Sequence, residues 1–180
     1  MVETAPFEVI KKEGDVEIRR YPPMILASVY GMSDDSSFRL LFGYITGANS
    51  GKKEIPMTAP VINAPKGEHI AMTTPVMNDK ECFSFVMPPS FTLENTPQPT
   101  DDRVVIEERR GRLVAVLRFR GSVDRDDIGP KSAVFLAQLK SMGVAAKDEV
   151  FLMRYNGPFT PGFMRHNEIG VEIAEGSVIQ

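Results

Sequence analysis

The stretch Ile55-Pro56-Met57-Thr58-Ala59-Pro60-Val61 returns fifteen residues later as Ile70-Ala71-Met72-Thr73-Thr74-Pro75-Val76. Between the copies lies Asn63-Ala64-Pro65-Lys66-Gly67-Glu68, which is rich in turn-forming residues, so the whole stretch is typical of a β-hairpin. Because a proline has no backbone N–H to donate, we expect both strands to lie at a sheet edge or to end there. Adjacent strands would also bring Met57 and Met72 close together on one face.

The rest of the chain is also rich in predicted strands. Apolar and charged residues alternate along residues 7–12 and 16–20, which predicts a β-hairpin with one solvent-facing side. A second hairpin is predicted about Arg110-Gly111, from residues 103–109 and 112–119. Further strands are predicted at residues 24–30, 82–87, 149–155 and 168–174. The pattern therefore favours a fold built on antiparallel sheet.

A first helix is predicted between the strand at residues 24–30 and the repeated stretch. Its apolar residues recur at the i, i+3, i+4 and i+7 spacing of a core-facing stripe. The stripe consists of Phe38, Leu41, Phe42 and Ile45. We expect Asp34 or Asp35 to cap the helix and Gly47 or Asn49 to end it.

A second helix is predicted from Pro130, a residue that suits the first helical position. It carries Phe135, Leu139 and Met142 on one face and ends at Gly143. Each half of the chain is thus predicted to contain strands, one helix and further strands. We predict an α+β fold in which two similar lobes share a sheet, with the helices lying against it and a cleft between the lobes.

Composition limits the functions that this chain can have. Its 180 residues include 42% hydrophobic and 25% charged side chains, as expected for one globular domain spanning residues 1–180, with a core of about 7–174. The net charge of -3 argues against a nucleic-acid surface. We find no signal-peptide pattern and no apolar run of the roughly 20 residues that a membrane helix needs. The single Cys82 fits a reducing compartment, so we expect a cytoplasmic protein. We further expect it to be a monomer.

Signals of catalysis are weak. His69 and His166 are the only histidines, and the sequence has no Ser-His-Asp order, Cys-His pair or metal-spaced cluster. Gly43, Gly47 and Gly51 lie within or after the first helix rather than before it, unlike a phosphate-binding loop. An enzymatic activity is therefore not indicated, and a binding function is favoured.

The first helix carries a second stripe at Leu40, Gly43, Tyr44 and Gly47, with Arg39 beside it. One helix face cannot bury both stripes against one sheet. The two glycines leave a flat surface, and its aromatic and cationic edges suit a planar amphipathic ligand with carboxylates, such as a tetrapyrrole. The alternative is that loops or a second subunit cover this stripe.

Residues 157–168 form a proline-containing aromatic loop before the last strand. Phe159, Phe163 and Met164 would either cover the core or line a binding cleft. Arg165 is a candidate partner for a ligand carboxylate, or for a glutamate of the last strand. His166 is a candidate iron ligand, or a hydrogen-bonded surface residue.

Several segments, in order, resemble the SOUL heme-binding protein family. They are residues 17–23, 42–49, the two repeated Met-Thr-x-Pro-Val segments, 84–88 and 165–168. The resemblance runs from about Phe7 to Ile173 and so covers nearly the whole chain. It implies a twisted antiparallel sheet or distorted β-barrel from two pseudo-symmetric halves, each with one α-helix.

The resemblance also implies reversible, non-covalent binding of heme or another tetrapyrrole in an apolar groove along the first helix, as a carrier or buffer. Some animal members have a histidine ligand before or within that helix, whereas this chain has no histidine between Met1 and Glu68. We therefore expect no axial ligand or a weak one, with His166, Met57 and Met72 as candidates. The candidate cofactor contacts are Arg39, Leu40, Gly43, Tyr44, Gly47, Met57, Met72 and Arg165.

The family is similar in structure to gyrase-inhibitor-like effector-binding domains, which take small organic molecules in the cleft between their halves. The alternative hypothesis is therefore an effector-binding module, or a hydrolase, for small apolar or cationic molecules. Glu168 and Tyr155 are the residues that this hypothesis would use. A buried glutamate with a raised pKa would favour it, whereas an open flat stripe would favour heme.

Overall fold

The computed structural model describes residues 3–64, 81–123, 128–157 and 159–178. Its elements in chain order are β1 (Glu3–Thr4), β2 (Glu8–Glu13), β3 (Val16–Tyr21), β4 (Met24–Tyr30), α1 (Asp34–Ile45), β5 (Thr58–Ala64), β6 (Cys82–Val86), β7 (Val105–Arg109), β8 (Arg112–Arg120), α2 (Ile128–Ser141), β9 (Phe151–Arg154) and β10 (His166–Glu172). Short 3-10 helices lie at Gly162–Met164 and Glu175–Val178.

The chain folds as two compact units. Unit 1 contains Met1–Pro6 and Pro23–Arg110, and unit 2 contains Phe7–Pro22 and Gly111–Gln180. Each unit has an antiparallel sheet and one helix, which confirms the predicted α+β class with two pseudo-symmetric halves.

Unit 1 has the strand order β5-β6-β4-β7, with the short β1 parallel to β5. Helix α1 packs on β4 and β6, where aromatic and aliphatic side chains form the core. This core includes Ile25, Val29, Leu41, Tyr44, Ile45, Val61, Phe83 and Phe85.

Unit 2 has the strand order β2-β3-β8-β10-β9. The predicted N-terminal hairpin is confirmed, because β2 and β3 pair in antiparallel register from Glu8↔Arg20 to Glu13↔Val16. The core of this unit joins the sheet to α2 through Phe135 and Leu139, as predicted. Its other members include Val16, Ile18, Leu113, Ala115, Leu152, Ile169 and Val171.

The two units have the same connectivity. In unit 1 the chain runs β4-α1-β5-β6, and in unit 2 it runs β8-α2-β9-β10. In unit 1 the first strand of this series, β4, pairs with the last strand, β6, and on its other side with β7. In unit 2 the first strand, β8, pairs with the last strand, β10, and on its other side with β3. The sequence pattern of strands, helix and strands is therefore present twice.

The repeated stretch is described only in its first copy, because residues 65–80 lie outside the described residues. That copy forms β5, which pairs with β6 on one side and β1 on the other. The strand neither ends at Pro60 nor lies unpaired at an edge, so that expectation is wrong. Pro60 is accommodated at an irregularity, where the register with β6 shifts between Thr58 and Val61.

Two further predictions need correction. The second predicted hairpin does not form, because β7 pairs with β4 whereas β8 pairs with β3 and β10. Helix α2 begins at Ile128 rather than Pro130, and Pro130 is tolerated in the first turn because its missing N–H has no helical acceptor there. Within the described ranges, α1 and α2 have 12 and 14 residues, and no helix is long and apolar enough to span a bilayer.

Candidate functional site

Helix α1 carries most of the predicted cofactor contacts. Its N-cap is Ser33, whose side chain accepts a hydrogen bond from the backbone N–H of Ser36 at 3.4 Å. Asp34 and Asp35 follow in the first turn, where their negative charge interacts favourably with the positive end of the helix dipole. The predicted aspartate cap is therefore wrong, because the serine one residue earlier takes that place.

The buried side of α1 differs from the predicted core stripe. Its buried residues are Ser37, Leu41, Tyr44 and Ile45. Tyr44 is only 1% exposed, and its hydroxyl donates to the backbone oxygen of Pro97 at 2.6 Å. The expectation that Tyr44 flanks an open surface is wrong, because this acceptor lets the whole ring be buried without losing a hydrogen bond.

Phe42 was assigned to the core stripe but is 47% exposed. Its ring stacks on Phe38, with centroids 5.8 Å apart, and Phe38 meets Phe85 edge to face at 5.6 Å. Phe38 therefore connects the exposed ring to the core, and Phe42 adds apolar surface to the outer side of α1.

A second side of α1 carries half-buried Leu40 and Gly43 beside exposed Arg39. Half-buried Gly47 follows just beyond the end of the helix. Outside the adjoining backbone, a Cβ placed on Gly43 would find no atom within 4 Å. We call Arg39, Leu40, Gly43 and Gly47 the open stripe. It offers a shallow apolar surface with a cation beside it.

The Gly47 end of the open stripe lies near the backbone of Lys52. A Cβ on Gly47 would lie 3.9 Å from the backbone oxygen of Lys52, and Lys52 and Lys53 are both exposed. Sequence analysis missed these two lysines, although their place in the turn directly after the helix was a usable signal. The backbone of Lys52 thus lies beside Gly47 at one end of the stripe, and exposed Arg39 lies at the other end.

Met57 lies in the same unit, half-buried, and packs against the core cluster that Leu40 also contacts. Met72 lies outside the described residues, so the predicted proximity of the two thioethers stays a prediction. Among the described residues, no group of three or more His, Cys, Asp or Glu side chains is arranged to hold a metal ion.

Unit 2 contains a buried, hydrogen-bonded carboxylate, that of Glu168, which is 1% exposed. Arg19 on β3 donates to both of its oxygens, Nη1 to Oε2 at 2.7 Å and Nη2 to Oε1 at 2.9 Å. Tyr155 adds a hydroxyl donor at 2.7 Å. Burial alone would raise the pKa of Glu168, but these hydrogen bonds and the guanidinium charge hold it below its ordinary value.

His166 completes this cluster. Its ring stacks on Tyr155 with centroids 4.5 Å apart, and its Nε2 lies 3.1 Å from Glu168 Oε1. Nδ1 faces Arg118 Nη2 at 3.2 Å. Because a guanidinium can only donate, Nδ1 is the acceptor and Nε2 carries the proton toward Glu168. Both ring nitrogens are therefore already engaged.

The sequence matches the family profile described as SOUL heme-binding protein over residues 2–172. The chain belongs to the SOUL heme-binding protein family. It is 26% identical to heme-binding protein 2 of Mus musculus, over 92% of this chain and 81% of that protein.

Two solved structures are similar in fold. The C-terminal domain of EcmrR has a TM-score of 0.58 at 14% identity, covering 88% of this chain and 96% of that domain. An uncharacterized conserved protein from Listeria innocua has a TM-score of 0.62 at 11% identity, covering 89% of this chain and 92% of that chain. At such identities the likeness bears on the fold alone.

The segments that resemble the SOUL family now have structural roles in this chain. Asn49 is buried, and its amide donates to the backbone oxygens of Tyr44 and Lys53 at 2.9 and 2.8 Å. Its side-chain oxygen accepts from the N–H groups of Gly51 and Lys53. One asparagine thus fixes the turn that places the lysines beside the open stripe.

The segment at residues 165–168 is also used within the fold. Arg165 donates from Nε to the backbone oxygen of Thr160 at 2.9 Å and so braces the preceding loop. It belongs to unit 2, whereas α1 belongs to unit 1. The loop does not cover the core, because Phe159 and Phe163 are 98% and 78% exposed.

Unit 1 contains a buried polar cluster that sequence analysis missed. Glu107 on β7 accepts from Ser28 and, at 3.0 and 2.9 Å, from the hydroxyl of Tyr30. Ser28 uses its only proton for Glu107, so Ser84, at 2.7 Å, donates to Ser28. By the same argument the Cys82 thiol donates to Ser84 at 3.2 Å. Burial raises the pKa of that thiol, so Cys82 is an internal donor rather than a reactive group.

Proposed function

We propose that this protein reversibly binds heme or another tetrapyrrole on the open stripe of α1. The observation that supports this most directly is the free space over Gly43, where a Cβ would meet no atom within 4 Å. A planar ring can approach the helix backbone closely only where side chains are missing. Membership of the SOUL family and the name of the murine relative agree with this proposal.

The residues of the open stripe fit the chemistry of a tetrapyrrole. Leu40 and the backbone of Gly43 would contact the ring face, and Phe42 extends the apolar surface on the outer side of the helix. The carboxylates of the ring would pair with Arg39 at one end or with the Lys52–Lys53 pair at the other. When heme is bound, its iron supplies a Lewis-acid and redox centre, and Met57 is the candidate ligand among the described residues of unit 1.

Weak ligation of iron suits a carrier or buffer, because the ligand must leave as readily as it arrives. The described part of unit 1 contains no histidine, and both ring nitrogens of His166 are engaged by Arg118 and Glu168. We further propose that residues 1–180 act as one SOUL domain that arose by internal repetition. We expect it to be a cytoplasmic monomer without affinity for nucleic acid.

The effector-binding alternative is less well supported. It needs a buried carboxylate that can pair with a cationic ligand. A raised pKa would have indicated such a carboxylate. Glu168 instead has a lowered pKa and is held in two hydrogen bonds by Arg19. Its charge is already balanced within unit 2.

A heme titration followed by Soret absorbance, with a metal-free porphyrin in parallel, tests the proposal. We expect saturable binding of both ligands at similar affinity, because the ring and its carboxylates are recognised more than the iron. The decisive variant is Gly43→Leu, whose Cβ would enter the free space and whose helix propensity exceeds that of glycine. This variant should lower the affinity for both heme and the metal-free porphyrin by at least tenfold, while the protein stays folded.

The matched control is Gly129→Leu, since Gly129 lies in α2 and its Cβ would also meet no atom within 4 Å. This variant should bind heme like the unmodified protein. His166→Ala should leave the Soret maximum unchanged. Equal affinity of the Gly43 and Gly129 variants would move the site away from α1, and binding of heme without porphyrin would show that iron ligation dominates.

A further inference from the structure

The two most exposed large apolar side chains of the described residues lie in one short segment of unit 2. Phe159 is 98% exposed and Phe163 is 78% exposed, and the neighbouring Met164 is 59% exposed. We call these three residues the aromatic tip. Exposing a phenylalanine almost completely is unfavourable in water, so such a cluster indicates an interaction surface.

The backbone of the aromatic tip is held in place by close contacts with neighbouring residues. Gly162 packs so closely on Ser122 that a Cβ would lie 2.3 Å from the serine oxygen. Arg165 donates to the backbone oxygen of Thr160, and the residues between them form the 3-10 helix Gly162–Met164. These contacts fix the backbone and leave the apolar side chains directed outward.

Cationic side chains lie beside the tip. Arg118 and Arg120 are exposed at the C-terminal end of β8, and Arg120 is paired in register with His166 at the start of β10. His166 follows the tip residue Met164 by two positions, and Arg165 lies between these two residues. Apolar side chains thus project next to a group of arginines within the same unit.

We propose that the aromatic tip docks this protein on the surface of an anionic lipid bilayer. Phenylalanine side chains would enter the boundary between headgroups and acyl chains, while the arginines would contact lipid phosphates. This is the arrangement of a peripheral, reversible membrane contact. The inference is independent of heme binding, because it uses residues of unit 2 only.

The size of the tip favours a bilayer over a protein partner. A buried aromatic side chain covers about 150–250 Å², so the two phenylalanines of the tip offer roughly 300–500 Å², and the partly exposed Met164 adds to this area. A stable protein interface buries about 800 Å² on each partner. A bilayer needs no complementary pocket, and a projecting tip of this size is sufficient for reversible insertion when basic residues lie beside it.

The chain contains no tryptophan, so Phe159→Trp provides a single fluorescent reporter at the tip. We would add vesicles of phosphatidylcholine with 0, 15 or 30% phosphatidylserine, percentages chosen so that electrostatic attraction is varied at constant apolar content. We expect a blue shift of the tryptophan emission and quenching by brominated acyl chains on the anionic vesicles. The matched control is Val134→Trp, since Val134 is also exposed, at 67%, but lies on α2. It should show neither effect.

Co-sedimentation with the same vesicles tests the residues themselves. Phe159→Ser with Phe163→Ser should reduce binding at least tenfold, and Arg120→Gln should reduce it several-fold at 30% phosphatidylserine. Residues 124–127, which follow β8 in the sequence, contain three aspartates and one arginine. The dependence of binding on the phosphatidylserine content measures the net electrostatic effect of all these charges. Unquenched Phe159→Trp fluorescence, or equal binding of the double serine variant, would overturn the proposal. So would concentration-dependent self-association that the serine variant abolishes, which would assign the tip to a second copy of the chain.

Discussion

Both units bury a glutamate in the sheet, but they satisfy it by different means. In unit 2, Glu168 receives two hydrogen bonds from the guanidinium of Arg19, together with donors from Tyr155 and His166. In unit 1, Glu107 accepts from the hydroxyls of Ser28 and Tyr30. The same connectivity therefore supports one carboxylate centred on an ion pair and another held by a hydroxyl network.

This difference shows that the connectivity does not determine the chemistry of the interior. In both units the buried carboxyl group accepts hydrogen bonds from side chains on other strands of the same unit, so these bonds help to specify the packing of the strands. The two binding sites that we propose lie instead at the surface, on the open stripe and at the aromatic tip. The comparison predicts that changes at the two glutamate clusters alter stability, whereas changes at the two surfaces alter binding.

The largest expected effect is that of Arg19→Met. This change leaves Glu168 buried without its guanidinium, and breaking such a pair costs about 3–5 kcal/mol of the free energy of unfolding. Urea denaturation followed by circular dichroism measures it. Because an unpaired buried carboxyl group has a raised pKa, the deficit should shrink as the pH is lowered from 7 toward 5.

The double variant Arg19→Met with Glu168→Leu provides the control. It removes both charges together, so it should recover much of the stability that the single variant loses. A double variant as unstable as Arg19→Met would mean that the other contacts of Arg19 matter more than its pairing with Glu168. These contacts are the ion pair with Glu17 and the guanidinium carbon 4.2 Å over the ring of Phe7.

A smaller effect distinguishes the two clusters through their tyrosines. Tyr30→Phe removes the hydroxyl that donates to both oxygens of Glu107 and should cost about 2 kcal/mol. Tyr155→Phe should cost about 1 kcal/mol, since Glu168 keeps its donors from Arg19 and His166. Thermal and urea unfolding of the two variants, each with an otherwise unchanged ring, give the ranking. The reverse ranking would contradict the view that the ion pair with Arg19 supplies most of the stabilisation of the Glu168 carboxylate.

The sequence predicted the helices and most strands because their periodicity is local. Phe135 and Leu139 face the core of unit 2 as the helical spacing required. Strand pairing was harder, because it depends on contacts distant in the chain. Residues 103–119 have the pattern of a hairpin about Arg110-Gly111, yet β7 and β8 belong to different units. A turn signal indicates where the chain bends but not which strands pair.

The candidate site was predictable only in part. Gly43 and Gly47 led to the prediction of a low surface along the first helix, and a Cβ on Gly43 would meet no atom within 4 Å outside the adjoining backbone. The binding role of that surface stays a prediction. The burial of Tyr44 depends on the backbone oxygen of Pro97, fifty-three positions away in the chain, and no local pattern indicates such an acceptor. The pairing of Arg19 with Glu168 spans 149 positions and was missed for the same reason.

The smallest expected effect concerns stability at mildly acidic pH. Burial lowers the pKa of His166 below its ordinary value of 6.5, so as the pH falls the unfolded chain takes up this proton before the folded one does. Stability is therefore lost from about pH 6.5 down to the folded pKa, with a slope of at most about 1.4 kcal/mol per pH unit for one proton. The pKa of Glu168 is held below 4.5, so its contribution is complete above that pH and is lost only in a separate, more acidic window.

A variant without the histidine separates these windows. His166→Gln removes the titrating group beside Glu168, so its free energy of unfolding should vary less between pH 7 and 5 than that of the unmodified protein. Both the variant and the unmodified protein should still lose stability below pH 4.5, where protonation of Glu168 breaks its pairing with Arg19. Parallel curves for His166→Gln and the unmodified protein between pH 7 and 5 would show that this histidine takes no part in the acid response, leaving Arg19, Glu168 and Tyr155 as the pH-sensitive part of unit 2.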